Sequence, residues 1–312
     1  MDERLGEAPI GYGERVQNLA IVVLMLVWAL LLPGCSSGCR GKGEPPGRAQ
    51  VVVTIFPVYD LVRRIAGPDA DVALIVPPGQ SAHGFQPRPG DVEVLSRMRL
   101  GVMVGLGLDE WMDAFVPQAP KGARVLKIGD RVPQLAKGAD SDDANTDPHV
   151  WLDPQRAQLI VRAVTDELGR VDPSHVLAYR ERAKSLDASL AQLDHDAETR
   201  LAKLPKRSFL THHLAFSYFA ERYGLNIAGS RLTEPPKPAP DDHVRSLRTA
   251  ASQRSVVAVF REPQLDQGPI QTFASDAALR LGVLDPLGGG PDTGTYEALI
   301  RFNVSALEAQ LR

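Results

Sequence analysis

From residue 51 onward, short β-branched runs alternate with stretches whose apolar residues recur every three or four positions. Val51-Val52-Val53-Thr54-Ile55 predicts a buried strand, and Tyr59 to Ala66 follows with helical spacing. Further strands are expected over 71–76, 100–104 and 124–128, with helices over 91–97 and 109–115. A polar loop over 134–148 and a helix over 154–168 come next. Beyond residue 204 the alternation resumes, with strands over 208–211, 226–228, 255–261 and 282–284. Helices over 215–223, 242–253 and 271–281 separate them, a Pro-rich loop lies at 235–240, and a helix over 296–311 closes the chain. Strands and helices in this order argue for parallel βαβ units.

The stretch from Pro173 to Leu204 breaks the alternation. It holds no internal Gly or Pro, and Leu186, Leu190, Leu193 and Ala197 share one helical face. Asp172-Pro173 opens it as a cap and first-turn pair, and Pro205 closes it. One helix over 173–204 would be roughly 45 Å long at the usual rise per residue. The expected fold is therefore α/β, with two similar lobes of parallel sheet flanked by helices and joined by one long rigid helix. The N-terminal lobe is placed at 48–172 and the C-terminal lobe at 205–312.

The N-terminus has another character. Residues 19–32, LAIVVLMLVWALLL, match the apolar region of a signal peptide and are short for a membrane span. Leu32-Pro33-Gly34-Cys35 resembles a bacterial lipobox, which makes Cys35 the expected lipidation site, and Ser36, Ser37, Gly38 and Gly41 read as a flexible tether. Residues 1–47 are thus expected to be a signal peptide with lipobox and tether. The acids Asp2, Glu3, Glu7 and Glu14 outnumber Arg4 and Arg15 ahead of the apolar run, the reverse of the usual signal-peptide balance.

Composition narrows the chemistry. The 312 residues carry a formal charge of -3, which offers no electrostatic footprint for nucleic acid. The two cysteines, Cys35 and Cys39, both precede the folded region, so a thiolate metal site or a disulfide framework there is excluded. A metal would have to be held by imidazole and carboxylate. In open α/β sheets ligands bind beyond the carboxyl ends of the strands. Four side chains meet that condition: His83 in PPGQSAHGFQP, His149 in DPHVWLDP, His213 in LTHHLAFSYFAERYGL and Asp285 in GVLDPLGG. They are about 65 to 72 residues apart, too far for a local motif to join them. Three imidazoles and a carboxylate would suit tetrahedral Zn²⁺. Glu262 in FREPQ has two readings, as a hydrogen-bond acceptor behind a ligand imidazole or as the partner of a structural arginine. Trp111 and Trp151 either wall the site or belong to the core. His175, His195 and His243 read as surface residues.

The segments VVVTIFPVYDLVRRIAG, VPPGQSAHGFQPRPGDVEVL, GLGLDEWM, DPHVWLDP, THHLAFSYFAERYGL, FREPQL, LDPLGG and YEALIRFNVSALEAQL occur in an order that resembles the solute-binding proteins of zinc and manganese ABC importers. The resemblance runs from about residue 50 to the C-terminus. It implies two α/β lobes with a rigid connecting helix and metal ligands at His83, His149, His213 and Asp285. SAHGFQP departs from the family pattern, since Ala82 replaces its proline and Gly84-Phe85 are unusual, whereas DPHVWLDP matches throughout. Ala215-Phe216 and Tyr218-Phe219 set the register that selects His213 and makes His212 a neighbour. Zinc binders of the family tend to carry His at this third position and manganese binders Glu, so the resemblance favours zinc, with manganese second. The loop GADSDDANTDP is acidic but lacks the histidines that many zinc-specific members have there.

The implied function is capture of Zn²⁺ or Mn²⁺ outside the cytoplasm and delivery to an ABC permease and its ATPase. The protein would be a monomer held at the membrane by a lipid anchor. Four protein ligands would leave no open position for a catalytic water, and from residue 50 onward GxSxG and P-loop motifs are absent, so a binder is expected rather than an enzyme. Three alternatives remain open: manganese rather than zinc uptake, a surface adhesion or metal-sensing lipoprotein, and a secreted zinc hydrolase. The long helix should restrict metal-linked motion to a small tilt with loop ordering.

Overall fold

The computed structural model describes residues 49–135, 146–232 and 240–312. The expected signal segment, Cys35 and its lipidation, Cys39, and positions 138–145 of the acidic loop lie outside these residues. Gly47–Arg312 pack as one compact unit.

The first sheet is built from β1 (Ala49–Val53), β2 (Ala70–Leu74), β3 (Leu100–Met103) and β4 (Arg124–Lys127) in the order β2-β1-β3-β4. The second comprises β5 (Ser208–His213), β6 (Asn226–Leu232), β7 (Ala258–Arg261) and β8 (Arg280–Val283) in the order β6-β5-β7-β8. Every pairing is parallel. The two lobes thus share one topology, as the repeated alternation implies. In each, the chain steps outward to the second strand and returns past the first to the third. That reversal opens a crevice at the carboxyl ends, between β5 and β7 in the second lobe.

Helices α1 (Phe56–Ala66), α2 (Pro89–Leu95) and α3 (Pro154–Val171) belong with the first sheet. The second sheet is accompanied by α5 (Ser217–Tyr223), α6 (Asp241–Gln253), α7 (Gly268–Asp276) and α8 (Tyr296–Leu311). Helix α3 starts where its sequence says it should: Pro154 occupies the first turn and the Asp153 carboxylate accepts from Gln155 N–H at 2.8 Å. Between the lobes runs α4, Val176–Leu201, which packs on α3 and α1 on one side and on α8 on the other. Its 26 residues correspond to about 39 Å. The expected face is the buried one, with Leu186, Leu190, Leu193 and Ala197 all removed from solvent.

Some boundaries differ from the sequence reading, each for a local reason. The connecting helix does not fill 173–204. Pro173–His175 form a 3₁₀ turn, in which the Asp172 carboxylate accepts from Ser174 Oγ and pairs with His175 Nδ1, and α4 ends at Leu201. Residues 110–118 are 3₁₀ rather than α-helix, and Pro117 supplies no N–H there. The helix expected over 271–281 covers Gly268–Asp276 instead. Ala278 turns the chain at φ 50°, and Arg280 and Leu281 belong to β8. Ser255, at φ 51°, similarly delays β7 until Ala258.

One apolar core passes through both lobes, from Val51 and Leu61 through Leu190 and Leu193 to Phe209, Phe260 and Ile300. Polar ties reinforce it. Arg64 on α1 holds Glu297 on α8 at 2.6 Å, Ser189 on α4 donates to the same carboxylate at 2.9 Å, and Tyr296 N–H donates to the buried Asp60. Because α4 is packed into this shared core, its truncation should unsettle both lobes together. Leu190→Ala is expected to cost about 2–5 kcal/mol in a single cooperative denaturation. Two separate transitions, or a loss below about 1 kcal/mol, would contradict the shared core.

Candidate metal centre

Three of the four side chains singled out in the sequence converge. The Nε2 atoms of His83 and His149 are 3.3 Å apart, and those of His213 and His149 are 3.2 Å apart. One donor atom from each of the three rings lies within 4.8 Å of the others. The rings arrive from different elements. His83 sits on the loop after β2, His149 just before a 3₁₀ turn at Val150–Leu152, and His213 is the last residue of β5. His149 and His213 are buried and His83 is half-buried. Ser81, Leu108, Trp151, Gln264 and Pro286 line the same cleft.

Carboxylates behind the rings decide what the Nε2 atoms offer. Asp147 Oδ1 lies 2.8 Å from His149 Nδ1 and also accepts the His149 backbone N–H at 2.9 Å. Glu262 Oε1 lies 2.7 Å from His213 Nδ1 and accepts the His213 N–H at 3.1 Å. A carboxylate oxygen accepts, so in its neutral form each ring carries its proton on Nδ1 and turns the Nε2 lone pair towards the other. In that form the two lone pairs face each other at 3.2 Å and repel. A cation between them turns that repulsion into coordination. Burial holds the His149 ring below the ordinary imidazole range, and the Asp147 hydrogen bond and charge oppose it without prevailing. Burial works against ionisation of Asp147, but its bonds and charge interaction with His149 prevail and hold the carboxyl below its usual value.

Asp285 is placed differently. It follows β8 and is 7% exposed, but it is not among the side chains that form the three-ring cluster. Its Oδ1 accepts from Gln264 Nε2 at 2.7 Å and from the backbone N–H groups of Leu287 at 3.0 Å and Gly288 at 2.9 Å. Asn303 on α8 grips its backbone with two bonds, to the N–H at 2.8 Å and to the carbonyl at 2.7 Å. Of the two readings of Glu262, the geometry has the acceptor behind an imidazole. It is 2% exposed, and among the described residues no arginine ion pair to it is seen.

The other aromatic and imidazole candidates sort by contact. Trp151 is buried, with its ring 5.2 Å from that of His149 and its Nε1 donating to Pro286 O at 2.7 Å. Trp111 is not part of the cleft lining and packs on Phe85 at 5.4 Å. His212 is buried and strand alternation sends it to the other face from His213, where burial lowers its pKa to about 4. His195 is exposed, His175 pairs with Asp172, and His243 faces Ser230 O at 2.8 Å.

Asp147, Gln264 and Asn303 had no role assigned from sequence. Asp147 had a readable signal, because an Asp two residues ahead of a His can bond both its backbone and its ring. Gln264 and Asn303 had none, since their partners lie 21 and 18 residues away.

Residues 51–310 match the family described as zinc-uptake complex component A, periplasmic. The chain is 29% identical over 307 residues to the high-affinity zinc uptake system protein ZnuA of Bacillus subtilis, covering 90% of this chain and 94% of that one. Its fold is similar to the manganese-bound periplasmic metal-binding protein of Candidatus Liberibacter asiaticus. There the TM-score is 0.77 at 22% identity, with 84% of this chain and 100% of that chain covered. It is also similar to the laminin-binding adhesin of Streptococcus agalactiae, with a TM-score of 0.74 at 24% identity over 85% of this chain and 100% of that chain.

If Glu262 fixes the His213 tautomer, Glu262→Gln should weaken zinc binding by about 10–100-fold in calorimetric titration of the metal-stripped chain. An affinity within about twofold of the parent would show that the bond does not set the ring's donor atom.

Proposed function

The chain belongs to the family of periplasmic zinc-uptake components, and from that premise we propose that it captures Zn²⁺ through His83, His149, His213 and Asp285 and passes it to an ABC permease. Proteins of this family are extracytoplasmic metal-binding parts of ABC uptake systems rather than enzymes. The observation that carries the ligand assignment is the approach of two Nε2 atoms to 3.2 Å, each ring backed at Nδ1 by a buried carboxylate. With both rings neutral, a cation shared between them accounts for that approach.

Imidazole-rich coordination suits zinc, and the single carboxylate is the donor that keeps manganese as the second cargo. Asp285 lies outside the three-ring cluster, so a four-ligand shell forms when the imidazoles and its carboxylate draw together on the ion. The four protein ligands leave no position for a reacting water, which favours holding and release over hydrolysis. The lobes are joined through α4, Val176–Leu201, and their shared core limits metal-linked motion to a small tilt with movement of the His83 and Asp285 loops. Lipidation of Cys35 would hold the monomer at the outer face of the membrane, near the permease and its ATPase. Among the described residues no helix is long and apolar enough to cross a membrane.

A strain lacking this gene is expected to stop growing in chelator-treated medium, to recover with added zinc but not manganese, and to be complemented by the parent gene but not by His213→Ala. Recovery with manganese alone would reverse the cargo. Full complementation by His213→Ala would remove the three-histidine site from the account.

A further inference from the structure

We infer that Gln264 is the positioning residue that makes Asp285 a one-oxygen ligand and thereby sets the preference for zinc over manganese. This rests on the proposed metal site. The turn after β7 places two side chains at once. Pro263 restricts the backbone between Glu262 and Gln264, and Leu265 N–H closes the turn on Glu262 O at 3.3 Å. Glu262 is thereby set behind His213, and Gln264 is set against Asp285.

Gln264 spans the gap between two strands' ends. Its Nε2 donates to Asp285 Oδ1 at 2.7 Å, while its Oε1 is buried with no hydrogen-bond partner. Turning the amide over would set its carbonyl against the carboxylate, so the orientation is fixed by Asp285. A side chain that keeps one polar atom unsatisfied beside a ligand cleft is retained for what its other end does. That end completes a set of three donors on one oxygen, with the N–H groups of Leu287 and Gly288 at 3.0 and 2.9 Å. Three donors crowd Oδ1, one more than its two lone pairs, and Oδ2 is the oxygen left for a metal.

The consequence is a coordination number. One carboxylate oxygen and three imidazoles make a tetrahedral shell, which zinc accepts. Manganese favours more oxygen ligands and higher coordination, for which a two-oxygen carboxylate is the available source. The Leu287 and Gly288 amides belong to the same turn as Asp285 and move with it. Gln264 is the donor carried on another turn, after β7, and it ties the carboxylate to the turn that sets Glu262 behind His213. Without that tie the carboxylate and its turn can shift together and present both oxygens.

The test uses the metal-stripped full chain, titrated with Zn²⁺ and with Mn²⁺, and loaded with Co²⁺ for its visible absorption. For Gln264→Leu, and for Gln264→Ala as a second variant, the ratio of zinc to manganese affinity should fall about tenfold or more. The intense visible band of four-coordinate Co²⁺ should weaken in parallel. In an Asp285→Ala background, Gln264→Leu should change the ratio by less than about twofold, because the clamp acts through that carboxylate. An unchanged ratio and Co²⁺ spectrum in the single variants would overturn the inference while leaving metal capture intact. An equal fall in the Asp285→Ala background would overturn it too, since Gln264 would then act elsewhere. A parent chain that binds neither metal would overturn the capture reading, and this inference with it.

Discussion

Two imidazole Nε2 atoms 3.2 Å apart, each ring held at Nδ1 by a buried carboxylate, are the contact around which this molecule is arranged. Left in water, the rings would separate or take up a proton. Here Asp147 and Glu262 hold the protons on the far side of each ring, and burial disfavours charging His149. The carboxylates supply negative charge without themselves turning towards the shared space, so the site attracts a cation and presents nitrogen to it. That combination separates it from an ordinary acidic surface cluster, which would take hard cations through oxygen.

Holding three rings in such a contact demands a rigid support. His83 and His149 come from the first lobe and His213 from the second, so any loose hinge would pull them apart. The chain prevents this with ties just beneath the site. Tyr218 of α5 donates to Asp147 O at 2.8 Å, Trp151 donates to Pro286 O, and Tyr296 of α8 donates to Trp151 O at 2.7 Å. Each joins an element of one lobe to an element of the other. With α4 embedded in the common core, the mobility left over is in loops, and the loops that carry His83 and Asp285 are the ones a cargo would have to move.

The sequence shows the parallel lobes and the connector because both depend on periodicity. The Leu186, Leu190, Leu193 and Ala197 face is a local pattern, and its burial follows from it. Two of the misread boundaries fall where a single backbone angle overrides composition. Ala278 and Ser255 take positive φ despite side chains that disfavour it, so the Ala-rich run into β8 reads as helix when it is a turn and a strand. At the site, His83 and His213 are legible because strand ends are where open sheets bind ligands, whereas His149 lies far beyond β4, ahead of a 3₁₀ turn, and is legible from DPHVWLDP. His213 is separated from His212 only by neighbouring aromatic residues, and alternation along β5 gives the physical reason. The supports are less legible. Asn303 acts on Asp285 from a helix and Gln264 from a turn, contacts that exist only once the second lobe has folded.

The most direct test of the central claim is diffraction at the zinc absorption edge from crystals of the zinc-loaded protein. The account predicts one anomalous peak among His83, His149 and His213, about 2.0–2.1 Å from each Nε2, with one oxygen of Asp285 drawn in as the fourth ligand. A peak elsewhere, or a zinc that leaves any of the three rings uncoordinated, would contradict it.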